Sequence, residues 1–432
     1  MKKIKILPKA LAGTIAIPPS KSLSHRALIC AGLSQGKSIL GNILPSQDIL
    51  ATCKALESLG VKIDWEKEQN NKDIQPITVK GQSYPRAIHK EINCRESGST
   101  LRFLIPLAAL TGEKIRFIGQ GKLGQRPLEP YYEIFQQQNI QYRTTQGGLP
   151  LTIQGTLQPG IYSLRGDISS QFITGLLFAL PLLDGDSTII LTTPLESKGY
   201  IDLTLDTLEK FSLDIENQNH QKFIIKGNQQ YKAKDYSIEG DFSQGAFWLV
   251  AGTLGGEIQS THLNPQSLQG DRVIVNILKQ MGGDISQRAQ TILAKPSLTK
   301  GITIDAAHCP DLVPILAVLA SLSQGNTRII NAQRLRIKES DRLKAISTEL
   351  NKLGAQVEEL PDGLIIQGRE NLQGGEVDSW NDHRIAMALA IASIKCKEPV
   401  IMTNSEAVTK SYPYFWRDFE KLGGEIHECN MG

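Results

Sequence analysis

The amino-acid sequence predicts an α/β protein built from six repeats of about 72 residues. Two recurring turns and a recurring polar start to an apolar helix support this prediction. The six repeats together fill the 432-residue chain. Each repeat has the pattern strand, helix, strand, helix, strand, which is typical of α/β folds.

The first recurring turn ends an amphipathic helix and opens a strand of alternating polarity. Its six copies are LESLGVKI (56–63), FQQQNIQY (135–142), LEKFSLDI (208–215), LKQMGGDI (278–285), LNKLGAQV (350–357) and FEKLGGEI (419–426). The turn positions are Gly60, Asn139, Ser212, Gly282, Gly354 and Gly423. Gly and Asn favour left-handed backbone after a helix, so we expect this conformation at the turns, with Ser212 as the imperfect copy.

The second recurring turn follows a helix of small residues, as in AGLSQGKSIL (31–40) and AALTGEKIRF (108–117). AGLSQGKS is similar to a phosphate-binding P-loop. However, only three residues separate Gly32 from Gly36, and the predicted order is helix to strand. These two differences argue against a nucleotide-binding loop.

Composition excludes several classes of protein. With 47 Lys and Arg against 44 Asp and Glu, the net charge is +3, too balanced for a dedicated nucleic-acid or membrane-surface protein. The longest apolar stretches, such as LVPILAVLASL (312–322), fall short of the roughly 20 residues of a membrane helix. Six cysteines without a CxxC pair favour reduced thiols over disulfides or a zinc site. Prolines interrupt the N-terminal apolar segment, so we expect a cytoplasmic protein without a secretory signal.

The first helix of each repeat begins with small polar residues, which are typical helix caps. These starts are PPSKSLSHRAL (18–28), RESGSTLRFL (95–104), DISSQFITGLL (167–177), GDFSQGAFWLV (240–250), HCPDLVPILAV (308–318) and NDHRIAMALA (381–390). The first turns also carry the cations Lys21, Arg26, Arg102 and Arg384. The helix dipole disfavours positive charge there, whereas a bound anion would reverse the penalty. We therefore predict an anion site, the alternative being unrelated surface charges.

Another group of charges lies in RLRIKESDRLKAI (334–346). We expect this segment to begin a helix with Lys338 and Arg342 on one face, beside Glu339. A solvated face with salt bridges is the alternative. Asp311 follows a proline at a helix start, where a carboxylate is ordinarily a cap. Arg126 and Lys410 each lie shortly before a proline, in predicted loops.

Taken together, these strings resemble the 5-enolpyruvylshikimate-3-phosphate (EPSP) synthase family of the shikimate pathway. The resemblance rests on PPSKSLSHRAL, ESGSTLRF, QRPLEP, ISSQF, SKGYIDLT, CPDLVP, LRIKESDRL, NDHRIAMA and TKSYP, in family order. It implies a two-domain inside-out α/β barrel with three βαβαββ units per domain. The implied discontinuous domain is 1–18 plus 238–432, the inserted domain is 19–237, and the active site lies in the cleft between them.

The resemblance also implies a reaction: transfer of the enolpyruvyl group of phosphoenolpyruvate to the 5-hydroxyl of shikimate 3-phosphate, within chorismate and aromatic amino-acid biosynthesis. The implied ligands of shikimate 3-phosphate are Lys21, Ser22, Arg26, Ser169, Ser170, Gln171, Ser197, Tyr200, Asp311 and Lys338. Those of phosphoenolpyruvate are Lys21, Gly98, Arg126, Gln171, Arg342, Arg384 and Lys410. Asp311 is the implied proton acceptor, and Glu339 with Lys21 would handle the other protons. The chemistry requires no cofactor or metal, and we expect a monomer that binds only small molecules.

Some positions depart from the family pattern. Glu96 stands where many relatives have Asn, and Ser99 stands where Thr is common. Both lie in the loop that shapes the phosphoenolpyruvate pocket, so the sequence leaves open the sensitivity to glyphosate, the family's competitive inhibitor. Gly199 replaces a usual Pro. Arg334 occupies the place of a ligand-contacting Asn and is left out of the predicted site.

The sequence is compatible with two alternative functions. The sister enolpyruvyl transferases that act on UDP-N-acetylglucosamine share the fold and would have a reactive loop cysteine and an Asn after the first Lys. Here Ser22 follows Lys21, and Cys94 precedes the ESGST loop without that family's signature. A non-enzymatic repeat protein that binds phosphate ligands would lack paired carboxylates, whereas Asp311 and Glu339 are present.

Overall fold

The chain forms two compact units. The computed structural model describes residues 3–65 and 75–429. The discontinuous unit consists of Met1–Ser20 and Glu239–Gly432, and the inserted unit is Lys21–Ile238. Within the described residues, each unit contains three four-stranded sheets, one for each repeat. The predicted α/β class and its six repeats are therefore confirmed.

Two strands open the chain, β1 (Ile4–Leu7) and β2 (Gly13–Ala16), and both pair within the discontinuous unit. The first repeat of the inserted unit contains α1 (Lys21–Leu33), β3 (Gly36–Ile43), α2 (Gln47–Ser58), β4 (Lys62–Trp65) and β5 (Gln75–Gly81). The second contains β6 (Glu91–Asn93), α3 (Gly98–Ala109), β7 (Ile115–Ile118), α4 (Glu129–Gln137), β8 (Gln141–Thr145) and β9 (Gly148–Gln154). The third contains β10 (Ile161–Leu164), α5 (Ser170–Ala179), β11 (Ser187–Leu191), α6 (Lys198–Lys210), β12 (Ile215–Gln218) and β13 (Lys222–Ile225), and β14 (Tyr236–Ser237) follows.

The discontinuous unit continues with three more repeats. The first contains α7 (Phe242–Leu254), β15 (Ile258–Thr261), α8 (Ile274–Gln280), β16 (Asp284–Arg288) and β17 (Thr291–Lys295). The second contains β18 (Thr303–Asp305), α9 (Val313–Ser321), β19 (Asn326–Ile330), α10 (Arg342–Lys352), β20 (Gln356–Leu360) and β21 (Gly363–Gln367). The third contains β22 (Gly375–Asp378), α11 (His383–Ala392), β23 (Val400–Thr403), α12 (Phe415–Lys421) and β24 (Glu425–Glu428).

The six sheets share one topology, in which two parallel strands are followed by two strands that each pair antiparallel with their neighbour. In the second repeat, β6 is parallel to β7, and β9 is antiparallel to both β7 and β8. Ile115 of β7 lies opposite Ile153 of β9, and both side chains are buried. The register therefore directs the apolar side chains of both strands to the core.

Three sheets are completed by strands that are distant in sequence. β14 is parallel to β3, β2 is parallel to β15, and β1 lies between β23 and β24. The chain leaves the discontinuous unit after Ser20 and re-enters it at Glu239. The amide of Ser20 donates to the Glu239 carbonyl at 2.8 Å, and Asp241 donates to the Pro18 carbonyl at 2.8 Å. These two hydrogen bonds hold the segment that leaves the discontinuous unit beside the segment that re-enters it.

The six recurring turns all have the predicted left-handed backbone. Their φ angles are +95° at Gly60, +55° at Asn139, +70° at Ser212, +97° at Gly282, +88° at Gly354 and +97° at Gly423. Each turn lets the chain leave a helix and enter a strand directly, which explains the recurrence of Gly and Asn. Ser212 adopts the same conformation without the freedom of glycine.

In each unit, apolar helices lie inside and sheets lie outside. Every residue of α7, α9 and α11 is buried, as expected for helices that are apolar on all sides. In β17, buried Ile292 and Ala294 alternate with half-exposed neighbours, so one face of the strand covers the core. No helix in residues 3–65 and 75–429 is long and apolar enough to cross a membrane.

One predicted helix start is wrong. The carboxylate of Asp341 accepts the backbone N–H of Lys344 at 3.1 Å and caps α10, so this helix begins at Arg342. Lys338 lies before the helix in extended backbone, after a short 3-10 turn at 333–337. Lys338 and Arg342 therefore do not share a helical face.

Candidate active site

Polar caps fix the starts of the helices that carry the predicted site. Asp382 accepts the N–H of Arg384 at 2.9 Å at the start of α11. Ser169 accepts the N–H of Gln171 at 3.3 Å at the start of α5. These side chains satisfy backbone donors that a helix end leaves without partners. The predicted site residues near these starts therefore have defined positions.

Asp311 is the centre of a charged cluster in the discontinuous unit. Its carboxylate accepts from Arg342 Nη1 at 2.9 Å and from Arg384 Nη2 at 3.0 Å, and Lys338 Nζ lies 3.8 Å away. Burial alone would raise the pKa of the Asp311 carboxyl, but the adjacent cations outweigh burial and hold this pKa well below its usual range. Asp311 is therefore ionised at neutral pH, as predicted.

Arg342 connects three carboxylates. It is 2% exposed, and its Nε donates to Asp382 Oδ2 at 2.8 Å. Its Nη2 donates to Glu339, and its Nη1 donates to Asp311. Burial disfavours the guanidinium charge, but the three carboxylates together raise its pKa above the ordinary value. One guanidinium thus fixes both predicted proton-handling carboxylates, Asp311 and Glu339.

Two other predicted cations lie close by. The pKa of Lys338 is lowered to about 8, first by burial and then by Arg342 and Arg334, while Asp311 opposes the shift. Lys410 is buried, and its Nζ donates to the Asn381 carbonyl at 2.6 Å. This bond attaches Lys410 to the residue that precedes the cap of α11. The structure thus connects all six predicted residues of this unit, and it places Arg334 beside them.

Sequence reasoning missed three groups in this cluster. Asp382 binds Arg342, and His383 Nδ1 lies 3.4 Å from Glu339. The ligand atoms of Glu339, Asp382 and His383 lie within 4.8 Å of one another, a spacing that could hold a metal ion. Arg342 already supplies the positive charge between the two carboxylates. NDHRIAMA contains both missed residues, so the motif was the available signal.

The third missed group is Asp271, which accepts the hydroxyl of Ser243 at the start of α7. Burial raises the pKa of Asp271 to about 7, and the negative charge of Asp311 adds to the effect. Asp271 lies in a short 3-10 turn at 270–273. Nothing in its local sequence distinguishes it from an ordinary surface carboxylate.

In the inserted unit, Lys21 is the first residue of α1. Its Nζ donates to Asp48 Oδ2 at 2.8 Å, a partner on α2 that sequence reasoning missed. Arg26 lies one turn later, buried, and donates to Thr204 Oγ1 at 2.9 Å and to the Tyr200 carbonyl at 2.8 Å. Burial lowers the pKa of Arg26 to about 10. Arg26 therefore joins α1 to α6.

A second group forms where α3 and α5 begin. Gln171 Oε1 accepts from Arg102 Nη1 at 2.8 Å, and its Nε2 donates to Ser99 Oγ at 2.9 Å. A Cβ atom on Gly98 would lie 2.7 Å from Arg126 Nη1, so only glycine lets this guanidinium approach the start of α3. Arg102, one of the helix-start cations that predicted an anion site, belongs to this group although the implied ligand sets omit it, and burial lowers its pKa to about 9.

The predicted hydroxyl residues lie at other helix starts of the inserted unit. Ser22 follows Lys21 in α1, and its carbonyl accepts from Arg26 at 2.8 Å. Ser170 is the first residue of α5. Ser197 precedes α6 with left-handed backbone, and its carbonyl accepts the N–H of Tyr200 at 3.0 Å. The predicted residues of this unit are therefore all at or beside the starts of α1, α3, α5 and α6.

A buried chain of hydrogen bonds connects α1, α2 and α3. His25 Nδ1 bonds Thr52 Oγ1 at 2.7 Å, and Thr52 bonds Thr100 Oγ1 at 2.7 Å. Thr100 in turn donates to Ser97, the cap of α3, at 2.7 Å. Burial, with help from nearby Lys21, holds the pKa of His25 well below its usual range. The chain fixes α1, α2 and α3 with a neutral histidine.

Comparisons with known proteins cover nearly the whole chain. The family model for EPSP synthase (3-phosphoshikimate 1-carboxyvinyltransferase) matches residues 7–419. Two curated proteins of that second name are similar to this chain: one from Clostridium kluyveri is 58% identical over 432 residues, and one from Clostridium novyi is 57% identical over 434 residues. Each alignment covers 100% of both chains. An EPSP synthase structure from Acinetobacter baumannii has a TM-score of 0.82 at 26% identity and covers 100% of both chains. The family-wide match and the close relatives agree with the motifs at the helix starts, and the chain belongs to the EPSP synthase family.

Proposed function

We propose that this chain transfers the enolpyruvyl group of phosphoenolpyruvate to the 5-hydroxyl of shikimate 3-phosphate and releases inorganic phosphate. The observation that carries the proposal is the Asp311 carboxylate, which three cations keep ionised at the start of a buried helix. A second carboxylate, Glu339, shares Arg342 with it. The pair supplies a proton acceptor and a second proton-handling group. The names of the curated relatives support this reaction.

The two substrates bring two phosphates and two carboxylates, which accounts for the concentration of Lys and Arg. In this proposal both units contribute to one reaction. Shikimate 3-phosphate is held by Lys21, Ser22, Arg26, Ser169, Ser170, Gln171, Ser197, Tyr200, Asp311 and Lys338. Phosphoenolpyruvate is held by Lys21, Gly98, Arg126, Gln171, Arg342, Arg384 and Lys410. Many modest hydrogen bonds from hydroxyl groups suit the orientation of a polyol.

The chemistry proceeds by addition and elimination. Asp311 accepts the proton of the 5-hydroxyl as its oxygen attacks C2 of phosphoenolpyruvate, and C3 of the enol gains a proton from Glu339 or Lys21. The tetrahedral intermediate then loses a proton from C3 while the bond between C2 and the phosphate oxygen breaks. The electron pair leaves with phosphate, whose charge the cations stabilise. The cations around Asp311 keep its carboxylate deprotonated before the reaction, so it is in the form that can accept a proton.

Cys94 does not suit the role of the rival family's reactive cysteine. Cys94 is 0% exposed, and burial raises the pKa of its thiol. A buried, protonated thiol is a poor nucleophile and a poor proton donor to a substrate. This argues against a UDP-N-acetylglucosamine transferase that works through Cys94. The paired carboxylates argue against a protein that only binds phosphate ligands.

The deciding experiment measures release of inorganic phosphate from phosphoenolpyruvate in three mixtures: with shikimate 3-phosphate, with UDP-N-acetylglucosamine and with neither. We expect release only with the shikimate ester. Asp311→Asn is the matched control, because it keeps the size of the side chain and removes the proton acceptor, and we expect a loss of about 100-fold or more. Release only with the UDP-sugar would assign the sister reaction. If folded protein is inactive with both acceptors, the proposed enzymatic activity is rejected.

A further inference from the structure

Two successive residues before α11 have left-handed backbone. The φ angle is +55° at Trp380 and +51° at Asn381. Asn tolerates this conformation, but a bulky residue such as Trp rarely adopts it. Such a conformation persists only where its surroundings hold it. The next residue is Asp382, the cap of α11 and a partner of Arg342.

A buried carboxylate holds this turn. Glu349 of α10 has a side chain that is 1% exposed, and its Oε1 accepts from Trp380 Nε1 at 2.8 Å. Its Oε2 accepts the backbone N–H of Asp378 at 3.0 Å, and Lys352 Nζ lies 2.9 Å from both oxygens. The Asp378 carboxylate accepts the backbone N–H of Trp380. Glu349 and Asp378, with these bonds to Trp380, form what we call the Glu349 clamp.

The same clamp reaches the segment that carries Lys410. Asp378 Oδ2 accepts from Asn404 Nδ2 at 2.9 Å, and Asn404 precedes the 3-10 turn at 405–410. The carbonyl of Asn381, the second left-handed residue, accepts from Lys410 Nζ at 2.6 Å. The direction of that carbonyl depends on the backbone angles of the turn. The clamp therefore fixes both the start of α11 and the position of the Lys410 ammonium group.

We propose that Glu349 and Trp380 are positioning residues, which hold the left-handed turn at 380–381 and thereby place Arg384 and Lys410 for phosphoenolpyruvate. The inference rests on the proposed function. Neither residue would contact the substrate. The Trp380 indole and the Glu349 carboxylate hydrogen-bond each other, whereas Arg384 and Lys410 would bind the substrate. Loss of the turn should therefore weaken the binding of phosphoenolpyruvate far more than the binding of shikimate 3-phosphate.

The test compares Trp380→Ala with Trp380→Gly. Both variants delete the indole, but only glycine adopts a positive φ without a steric penalty. We expect Trp380→Ala to raise the KM for phosphoenolpyruvate by about tenfold or more and the KM for shikimate 3-phosphate by less than about threefold. Trp380→Gly should recover at least half of the logarithmic increase. An unchanged KM in Trp380→Ala, or equal values in the two variants, would overturn the inference.

Two milder changes keep the test valid if Trp380→Ala does not fold. Trp380→Phe keeps an aromatic ring but removes the Nε1 donor together with part of the indole, whereas Glu349→Gln removes the charge. Because the two residues share one bond, the combined variant should raise the KM for phosphoenolpyruvate by less than the product of the single effects. If the combined variant raises this KM by the full product of the two single effects, the Glu349 clamp is contradicted. Trp65→Phe, in β4 of the inserted unit, is the control and should change neither KM.

The wild-type protein separates the two claims. If it releases no phosphate with shikimate 3-phosphate, the proposed function fails, and this inference fails with it. If it is active but the Trp380 variants change both KM values equally at matched thermal stability, the function stands. In that case the clamp serves stability alone, and the positioning role is rejected.

Discussion

Lys338 is the site residue whose positive charge should respond to mildly alkaline pH. Its pKa is lowered to about 8, first by burial, so the charged form is present below pH 8 and is lost as the pH rises through that value. If Lys338 binds shikimate 3-phosphate, the wild-type KM for this substrate should rise above pH 8. The limit is about tenfold per pH unit, because each unit removes nine-tenths of the remaining charged form.

The variant Lys338→Arg isolates this effect, because a guanidinium stays protonated throughout the range. We expect kcat/KM for shikimate 3-phosphate, measured from pH 6.5 to 9.5, to decline above pH 8 in the wild type and to flatten in Lys338→Arg. At pH 7, kcat/KM should be lower in Lys338→Arg than in the wild type, because the ammonium and guanidinium groups differ in shape. Exposed Lys300 of the same unit provides the control Lys300→Arg, which should retain the decline. The same decline in Lys338→Arg would contradict the assignment.

For individual residues, the sequence predicted the cations of the candidate site better than the carboxylates that bind them. Lys21 and Arg384 were conspicuous because positive charge opposes the dipole of a helix start. Asp48 and Asp382 were missed because each is an ordinary capping-type residue in its own segment, and only folding brings it to its cation. Lys21 and Asp48, for example, belong to different helices. Such pairs depend on tertiary contacts that a local pattern does not contain.

Among the elements, the recurring turns give a direct test of backbone strain. Ser212 is exposed and has φ +70°, where glycine or asparagine occupies the other five copies. Ser212→Gly should raise the free energy of unfolding by about 0.5–1 kcal/mol, because the relief of left-handed strain exceeds the entropic cost of glycine. Calorimetric unfolding measures the change. Ser212→Ala keeps the strain and should not stabilise the protein; equal gains in both variants would refute the explanation.

Element boundaries were predictable where a cap and an apolar run coincide. The starts of α5 and α11 follow Ser169 and Asp382, within the strings that the sequence singled out. The segment before α10 was predicted wrongly because it offers several polar residues that could cap a helix. Asp341 caps it in the structure, and the 3-10 turn before it leaves Lys338 outside the helix. Competing local hydrogen bonds decided this boundary.

For the whole molecule, the period of the sequence predicted how many repeats exist but not which strands complete their sheets. A period reports the spacing of similar segments and contains no information about the partners in a sheet. Three of the six sheets take a strand from a distant part of the chain, namely β1, β2 and β14. The resemblance to a known family implied such a crossing, whereas the residues alone did not. Long-range pairing of this kind depends on tertiary packing.

The position of β1 leads to a prediction about the stability of the discontinuous unit. Ile6 is 0% exposed and lies opposite Val400 of β23 and Ile426 of β24. Ile6→Ala should lower the free energy of unfolding of this unit by about 2–5 kcal/mol, because it leaves a cavity in a strand that joins two others. Amide hydrogen exchange provides the local measurement.

We expect the amides of β23 and β24 to exchange at least about thirtyfold faster in Ile6→Ala, since about 2 kcal/mol corresponds to that factor. Lys5→Ala alters the other face of the same strand, where the side chain is half-exposed, and should stay within about 0.5 kcal/mol of the wild type. Exchange in β7 and β9 of the inserted unit should not change, because their side chains belong to a separate buried core. Equal exchange of β23 and β24 in the two variants would show that β1 is not needed to hold these strands together.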